Sequence, residues 1–230
     1  MKKAVLLVSL LFCAFIHAQE VKVIPQISVS GEGKIKIVPD QVFISVTTET
    51  KGKDAADVKK RNDIAISEVI KFIKKTKIPT EDVQTKRISL NPEFDYQVKK
   101  RNYNATQTIE ILLKDLSQYD YVIDGLIDAG INRIDVVEFQ SSKLEQYLSE
   151  ARKLAIKQAK LKAEDFATTL GQKVGKAITI ADNSHGYFPE PMYDKSVMKM
   201  GIQNNGSPRQ TIAIGEITVT ANVSVSFILE

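Results

Sequence analysis

Residues 28 to 40 read SVSGEGKIKIVPD, and the pair Gly31-x-Gly33 is the first feature of this chain that could do chemistry. Glycines at that spacing can let a backbone close around a phosphate. A dinucleotide site would need a third glycine at position 36, followed by the N-terminus of a helix. Lys36 stands there and the pattern that follows is that of a strand. The nucleotide reading fails, and the two glycines, on the same face as Ile35 and Ile37, are instead expected to permit a bulge or close packing.

The other reactive side chains are few. Met192, Met198, Met200 and His185 gather in one segment, DNSHGYFPEPMYDKSVMKMGIQNNGSPR, residues 182 to 209. Thioethers are soft ligands suited to Cu(I), so this Met/His loop is a candidate copper-binding module. Methionine is equally a flexible apolar contact residue, and no regular M-x-x-M array is present. A Ser–His–Asp arrangement would have to draw its imidazole from the same loop. Paired carboxylates could serve a hydrolase, but no spacing marks any pair among the 28 acids. No catalytic, cofactor-binding or metal-binding residue is assigned on these patterns.

The N-terminus narrows the setting. Lys2 and Lys3, an apolar run from Ala4 to Ile16 and the small residue Ala18 have the layout of a secretory signal peptide over residues 1–18. The run is shorter than the roughly 18 residues that span a bilayer. Phe12 is too large for lipoprotein processing at Cys13. Removing 18 of the 230 residues leaves 212, without Cys13 or His17. The remaining chain would fold in an oxidising compartment with no disulfide, so its core must stabilise it. With Lys2 and Lys3 gone the formal charge falls from +4 to +2. That balance gives no field favouring nucleic acid or anionic lipid.

The elements that must position any site follow from periodicity. Residues 26–50 predict a β-hairpin turning at Pro39-Asp40, with Ile35 and Ile37 and then Val42, Ile44 and Val46 alternating. Residues 54–76 switch to helical spacing, with Ile64, Val69, Ile70 and Ile73 among Lys, Arg, Asp and Glu. Residues 83–114 predict a long hairpin with Lys99, Lys100 and Arg101 at a solvated tip. A short helix at 117–129 ends at Gly130, and the strand INRIDVVEF follows. The succession of helix and strand in this region suggests two strand–helix–strand halves.

The longest helix spans about 143–170. Ala151, Ala155, Ala159, Ala163 and Ala167, joined by Leu148, Phe166 and Leu170, form one wide stripe suited to lying flat on a sheet, with a partner helix as the alternative. Arg152 and Lys162 intrude on that face and must pair or snorkel. The strand GKAITIA comes next, then the 182–209 loop. The strand of 217–229 alternates without a break from Ile217 to Leu229. Its other face carries Ser, Thr and Asn with no charge to protect a free edge, so it is expected to be central or paired in an assembly. The strand count and three helices do not suit an outer-membrane barrel.

Taken in order, ISVSGEGKIKIVPDQVFISV, NYNATQTIEILLKDL, LIDAGINRIDVVEF, EARKLAIKQAKLKAEDFATTLGQKVGKAITI and GEITVTANVSVSFIL resemble the SIMPL domain family of exported bacterial proteins, over nearly all of residues 26–229. The resemblance implies an α+β fold of mixed, mostly antiparallel sheets, and a periplasmic or outer-membrane-associated setting. It also implies a general link to stress tolerance and, for some members, ring-like or channel-like oligomers. No catalytic residues come with it. The expectation is therefore one SIMPL domain over 19–230: a non-enzymatic, periplasmic, homo-oligomeric scaffolding or protective protein, with envelope proteins as partners and peripheral outer-membrane association. A copper module on the Met/His loop and a hydrolase with unrecognised carboxylates are the alternatives.

Overall fold

The computed structural model describes residues 24–95, 100–184, 212 and 214–230. Residues 1–23, Lys99 and residues 185–211, with His185, Met192, Met198 and Met200, lie outside the described residues.

The strands and helices are β1 (Gln26–Ile37), β2 (Gln41–Gly52), α1 (Ala55–Lys75), β3 (Val83–Asp95), β4 (Lys100–Leu113), α2 (Tyr119–Asp128), β5 (Arg133–Gln140), α3 (Leu144–Thr169), β6 (Val174–Asp182) and β7 (Ile217–Leu229). They form two antiparallel sheets, one of order β3-β4-β2-β5 and one of order β1-β7-β6. The chain is α+β with three helices among the described residues, as its patterns predict.

In the four-stranded sheet, β2-α1-β3 and β4-α2-β5 each leave one strand's width between their two strands, and the other half fills the gap. These are the two expected halves, interleaved as a ferredoxin-like double split β-α-β arrangement. Val42, Ile44 and Val46 of β2 and Ile109, Ile111 and Leu113 of β4 turn one face to Ile66, Val69 and Ile73 of α1 and to Val122 and Leu126 of α2. Asp54 caps α1 by accepting from Asp57 N at 2.8 Å.

The buried stripe of α1 is Val58, Asn62, Ile66, Val69 and Ile73; Ile64 is 56% exposed. Selecting only apolar positions therefore misplaces the face, because the stripe includes a buried amide. Asn62 Nδ2 donates to Thr48 O, Thr50 Oγ1 and Ala105 O at 3.2 to 3.4 Å, which satisfies it inside the core.

The expected hairpin of 26–50 is not formed. β1 pairs with β7 from Gln26↔Ile228 to Ile37↔Ile217, whereas β2 pairs with β4 and β5. Val38-Pro39-Asp40 is thus a passage between sheets. The return passage is tied to it: Asp40 accepts from Ser142 N at 2.7 Å and from Ser142 Oγ at 2.6 Å, and Asp40 N donates to Gln140 O at 3.1 Å.

Over the second sheet, α3 lies as its alanines predict, with Ala151, Ala155, Ala159, Ala163 and Ala167 all at or below 1% exposure. Phe166 and Leu170 do not join them and are 56% and 72% exposed. The reason for Gly31 and Gly33 is now plain. A Cβ on Gly31 would stand 1.9 Å from Ala155 O, and one on Gly33 would stand 2.0 Å from Ala151 O. Bare backbone on the strand meets near-bare backbone on the helix. No bulge is present there, since the β1–β7 register runs unbroken.

The two charged intruders on α3 reach its flanks. Arg152 Nε pairs with Asp182 Oδ2 at 2.9 Å beside β6, and Lys162 Nζ donates to Ser30 O at 3.0 Å beside β1. β7 is the central strand, so its uncharged polar face is accounted for within one chain and no longer argues for assembly.

Candidate functional site

The strands of the larger sheet alternate, so each residue directed away from the helices lies on one exposed face. β2 contributes Ser45, Thr47 and Glu49. From β4 come Asn104, Thr106, Thr108 and Glu110, set opposite them by the register Ser45↔Glu110 and Thr47↔Thr108. β3 adds Ser89 and Asn91, and β5 adds Arg133. The two edge strands are each interrupted, β3 between Thr85 and Arg87 and β5 opposite Ser45/Val46. These breaks supply one extra residue apiece, Lys86 and Asp135, and both line the same face. The result is an open trough of about 670 Å³, walled by hydroxyls, amides and charges.

Its floor is a connected polar network. Thr47, fully buried, donates from Oγ1 to Asp135 Oδ2 at 2.5 Å. Its single hydrogen is then used, so Thr108 Oγ1, 2.7 Å away, donates to it. Arg133 bridges two carboxylates, with Nε 2.7 Å from Asp135 Oδ1 and one terminal nitrogen 3.0 Å from Glu49 Oε2. Glu49 also accepts from Asn104 Nδ2 at 2.8 Å and faces Lys51 at 3.3 Å. Lys51 in turn meets Glu93 at 3.2 Å, and Lys86 meets Glu110 at 3.5 Å.

The electrostatics follow from these contacts. The hydrogen bond from Asn104, assisted by Lys51 and Arg133, outweighs partial burial and holds the Glu49 carboxyl below its ordinary range. Lys51 is held above its own, first by Glu93 and then by Glu49. A glycosidase-type acid needs the opposite, a carboxyl kept protonated near neutral pH. Two groups of the trough are left over. Asn104 Oδ1 is buried with no hydrogen-bond partner, and Arg87 has no ion pair among the described residues.

None of these trough residues carries a spacing that marks it in the sequence. Alternation in β2 and β4 makes the polar face visible, but nothing local announces the interruptions that bring in Lys86 and Asp135. No group of three or more His, Cys, Asp or Glu side chains is placed to hold a metal among the described residues.

The SIMPL model, described as a protein of unknown function (DUF541), matches residues 27–227. The chain belongs to the SIMPL family. Among its relatives, the uncharacterized protein YggE of Escherichia coli (strain K12) is 30% identical over 171 residues, covering 73% of this chain and 70% of that protein. YggE of Edwardsiella ictaluri is 29% identical over 182 residues, 77% of this chain and 76% of the relative. The 26 kDa periplasmic immunogenic protein of Brucella melitensis is 25% identical over 212 residues, 88% and 84% of the two chains. The SIMPL match takes in both sheets, from Ile27 in β1 to Phe227 in β7. No helix among the described residues is long and apolar enough to cross a membrane.

Proposed function

We propose that this SIMPL protein is exported to the periplasm after removal of residues 1–18 and acts there without catalysis, as a self-associating scaffold or protective protein of the envelope. The signal-like layout of Lys2, Lys3 and Ala4–Ile16 supports export, as does the word periplasmic in the Brucella relative's name. The engaged charges of the trough support a binding or structural role over acid–base chemistry, because Glu49 is held as an anion. Contact with envelope proteins and peripheral attachment to the outer membrane belong to the same reading.

The observation that carries self-association is the contrast between the two edges of the smaller sheet. At β1, Gln158 Oε1 accepts from Glu32 N at 2.7 Å and Lys162 covers Ser30 O, so the edge is occupied by α3. At β6, residues 176–182 are all exposed, with Ile178 at 45% and Ile180 at 60%. No charged side chain lies between Lys176 and Asp182. The register with β7 breaks on either side of Ala177, which twists the strand without adding charge. Such an edge is a template for another strand.

A second copy fits it. Antiparallel pairing about a two-fold axis at Thr179 sets Ile178 against Ile180 and Ala177 against Ala181 of the other chain, a self-complementary match. Light scattering on the mature 212-residue chain tests this. A discrete assembly is expected, and Thr179→Lys, which would oppose two ammonium groups at the axis, should shift it toward monomer. A monomeric wild type at tens of micromolar would sink the reading.

A further inference from the structure

A second cavity lies on the other side of the four-stranded sheet from the trough, where the end of α1 meets β3. Its volume is about 220 Å³, and its walls are Ile70, Ile73, Ile78, Val83 and Ile109, with Lys74, Thr80 and Thr85 also lining it. Ile73 and Ile109 belong to the main core, at 5% and 2% exposure. The hollow thus reaches the floor of the hydrophobic interior instead of lying on the surface. Packed interiors leave few voids larger than a water molecule. An apolar cavity of roughly 150 Å³ already holds a benzene ring.

The polar residues of the lining are one-sided in charge. Lys74 sits in the last turn of α1 and has no ion pair among the described residues, nor do its neighbours Lys75 and Lys77. Of the nearby acids, Asp82 lies 2.6 Å from Lys114, Asp115 accepts from Ser117 and Gln118 and also feels the Lys77 charge, and Glu81 beside Thr80 is exposed to solvent. The negative pole of the helix end is blunted, because Thr76 donates both its N–H and its hydroxyl to Ile73 O, at 3.0 and 2.6 Å. An apolar floor with an ammonium and two threonine hydroxyls among its walls has the chemistry of a small binding pocket.

We infer that this cavity is a binding site for a small amphipathic anion, with an apolar part about the size of an aromatic ring or a six-carbon chain and a carboxylate set against Lys74. The apolar part replaces water over Ile73, Val83 and Ile109. The carboxylate takes a charge-assisted hydrogen bond from the Lys74 ammonium and neutral ones from the threonines. Selectivity comes from pairing the two ends. Acetate lacks the apolar part, and a neutral alcohol lacks the charge.

Hexanoate, hexanol and acetate are the probes, titrated into the ¹⁵N-labelled mature chain and followed by amide chemical shifts. Hexanoate should give saturable shifts confined to residues 70–85 and 109, with a dissociation constant on the order of 1 mM for so few heavy atoms. Lys74→Gln should weaken hexanoate about tenfold and leave hexanol unchanged. Thr85→Phe, an exposed strand position beside the cavity, should fill it and abolish the response to both; an unchanged melting temperature would show that the fold is intact. Acetate should give no saturable response. The inference is overturned if hexanoate shifts map elsewhere or do not saturate, or if Lys74→Gln leaves hexanoate binding unaltered.

Discussion

The two sheets of this protein solve the same problem with opposite materials. Each is covered by helix on one face and polar on the other, yet one core interlocks branched side chains from both layers, while the other sets the Val, Ile and Phe of its strands against a helix that offers mainly alanine. In the four-stranded sheet, Val42, Ile44, Val46, Ile109 and Ile111 fill the space beneath α1 and α2. In the three-stranded sheet, alanines of α3 meet Gly31 and Gly33 with helix carbonyls within 2.0 Å of where a Cβ would stand. A branched core tolerates small losses because neighbours relax into the gap. A backbone-to-backbone contact has nothing that can relax.

The sharpest way to break that contrast is to change one methyl group in each region. Gly31→Ala should destabilise by about 3 kcal/mol, because the added carbon meets Ala155 O and α3 must lift off β1. Ile44→Val, which removes one carbon from the branched core, should cost only about 1 kcal/mol. Urea unfolding of both variants measures the difference. Equal losses would mean that α3 is mounted more loosely than its geometry implies.

A smaller effect is expected at Asn62, a buried amide in the apolar stripe of α1. Asn62→Leu has a similar volume but leaves Thr48 O and Ala105 O without the Asn62 donor, and a loss of about 2 kcal/mol follows from desolvated carbonyls. If Asn62→Leu proves neutral, those carbonyls have other partners and the amide is a replaceable filler.

Asn62 also shows what can be read ahead of the structure and what cannot. The stripe Val58, Asn62, Ile66, Val69, Ile73 is regular, but a reading that admits only apolar residues slides onto Ile64. β7 and α3 are legible because their periods run unbroken through Ile217–Leu229 and Ala151–Ala167. The close approach at Gly31 and Gly33 is legible in kind. The hairpin of 26–50 is misread because Pro39-Asp40 looks like a local turn, while the true partner of β1 lies near the other end of the chain. No local pattern encodes a pairing across that separation. The trough is hidden for a related reason: register breaks beside Lys86 and Asp135 recruit side chains that alternation alone assigns to no site.

The gentlest test concerns how the two regions are joined. The passages between the sheets meet where Asp40 accepts two hydrogen bonds from Ser142. Burial opposes ionisation of Asp40, but the Ser142 bonds, with help from Lys143, outweigh it and hold the carboxyl below its ordinary value of 3.8. A carboxyl depressed in the folded state contributes stability that is complete above its unfolded pKa and is lost as pH falls through the folded one. The contribution therefore fades below about pH 4. Solvent screening at this exposed position limits it to no more than about 1 kcal/mol. Calorimetry at pH 6 and pH 3 should show the wild type losing more on acidification than Asp40→Asn, whose amide cannot be protonated in this range. Release of the clamp should also separate the two cores, broadening the transition or splitting it in two. A wild type and an Asp40→Asn variant with the same acid dependence and one sharp transition each would show that the sheets are coupled by other contacts.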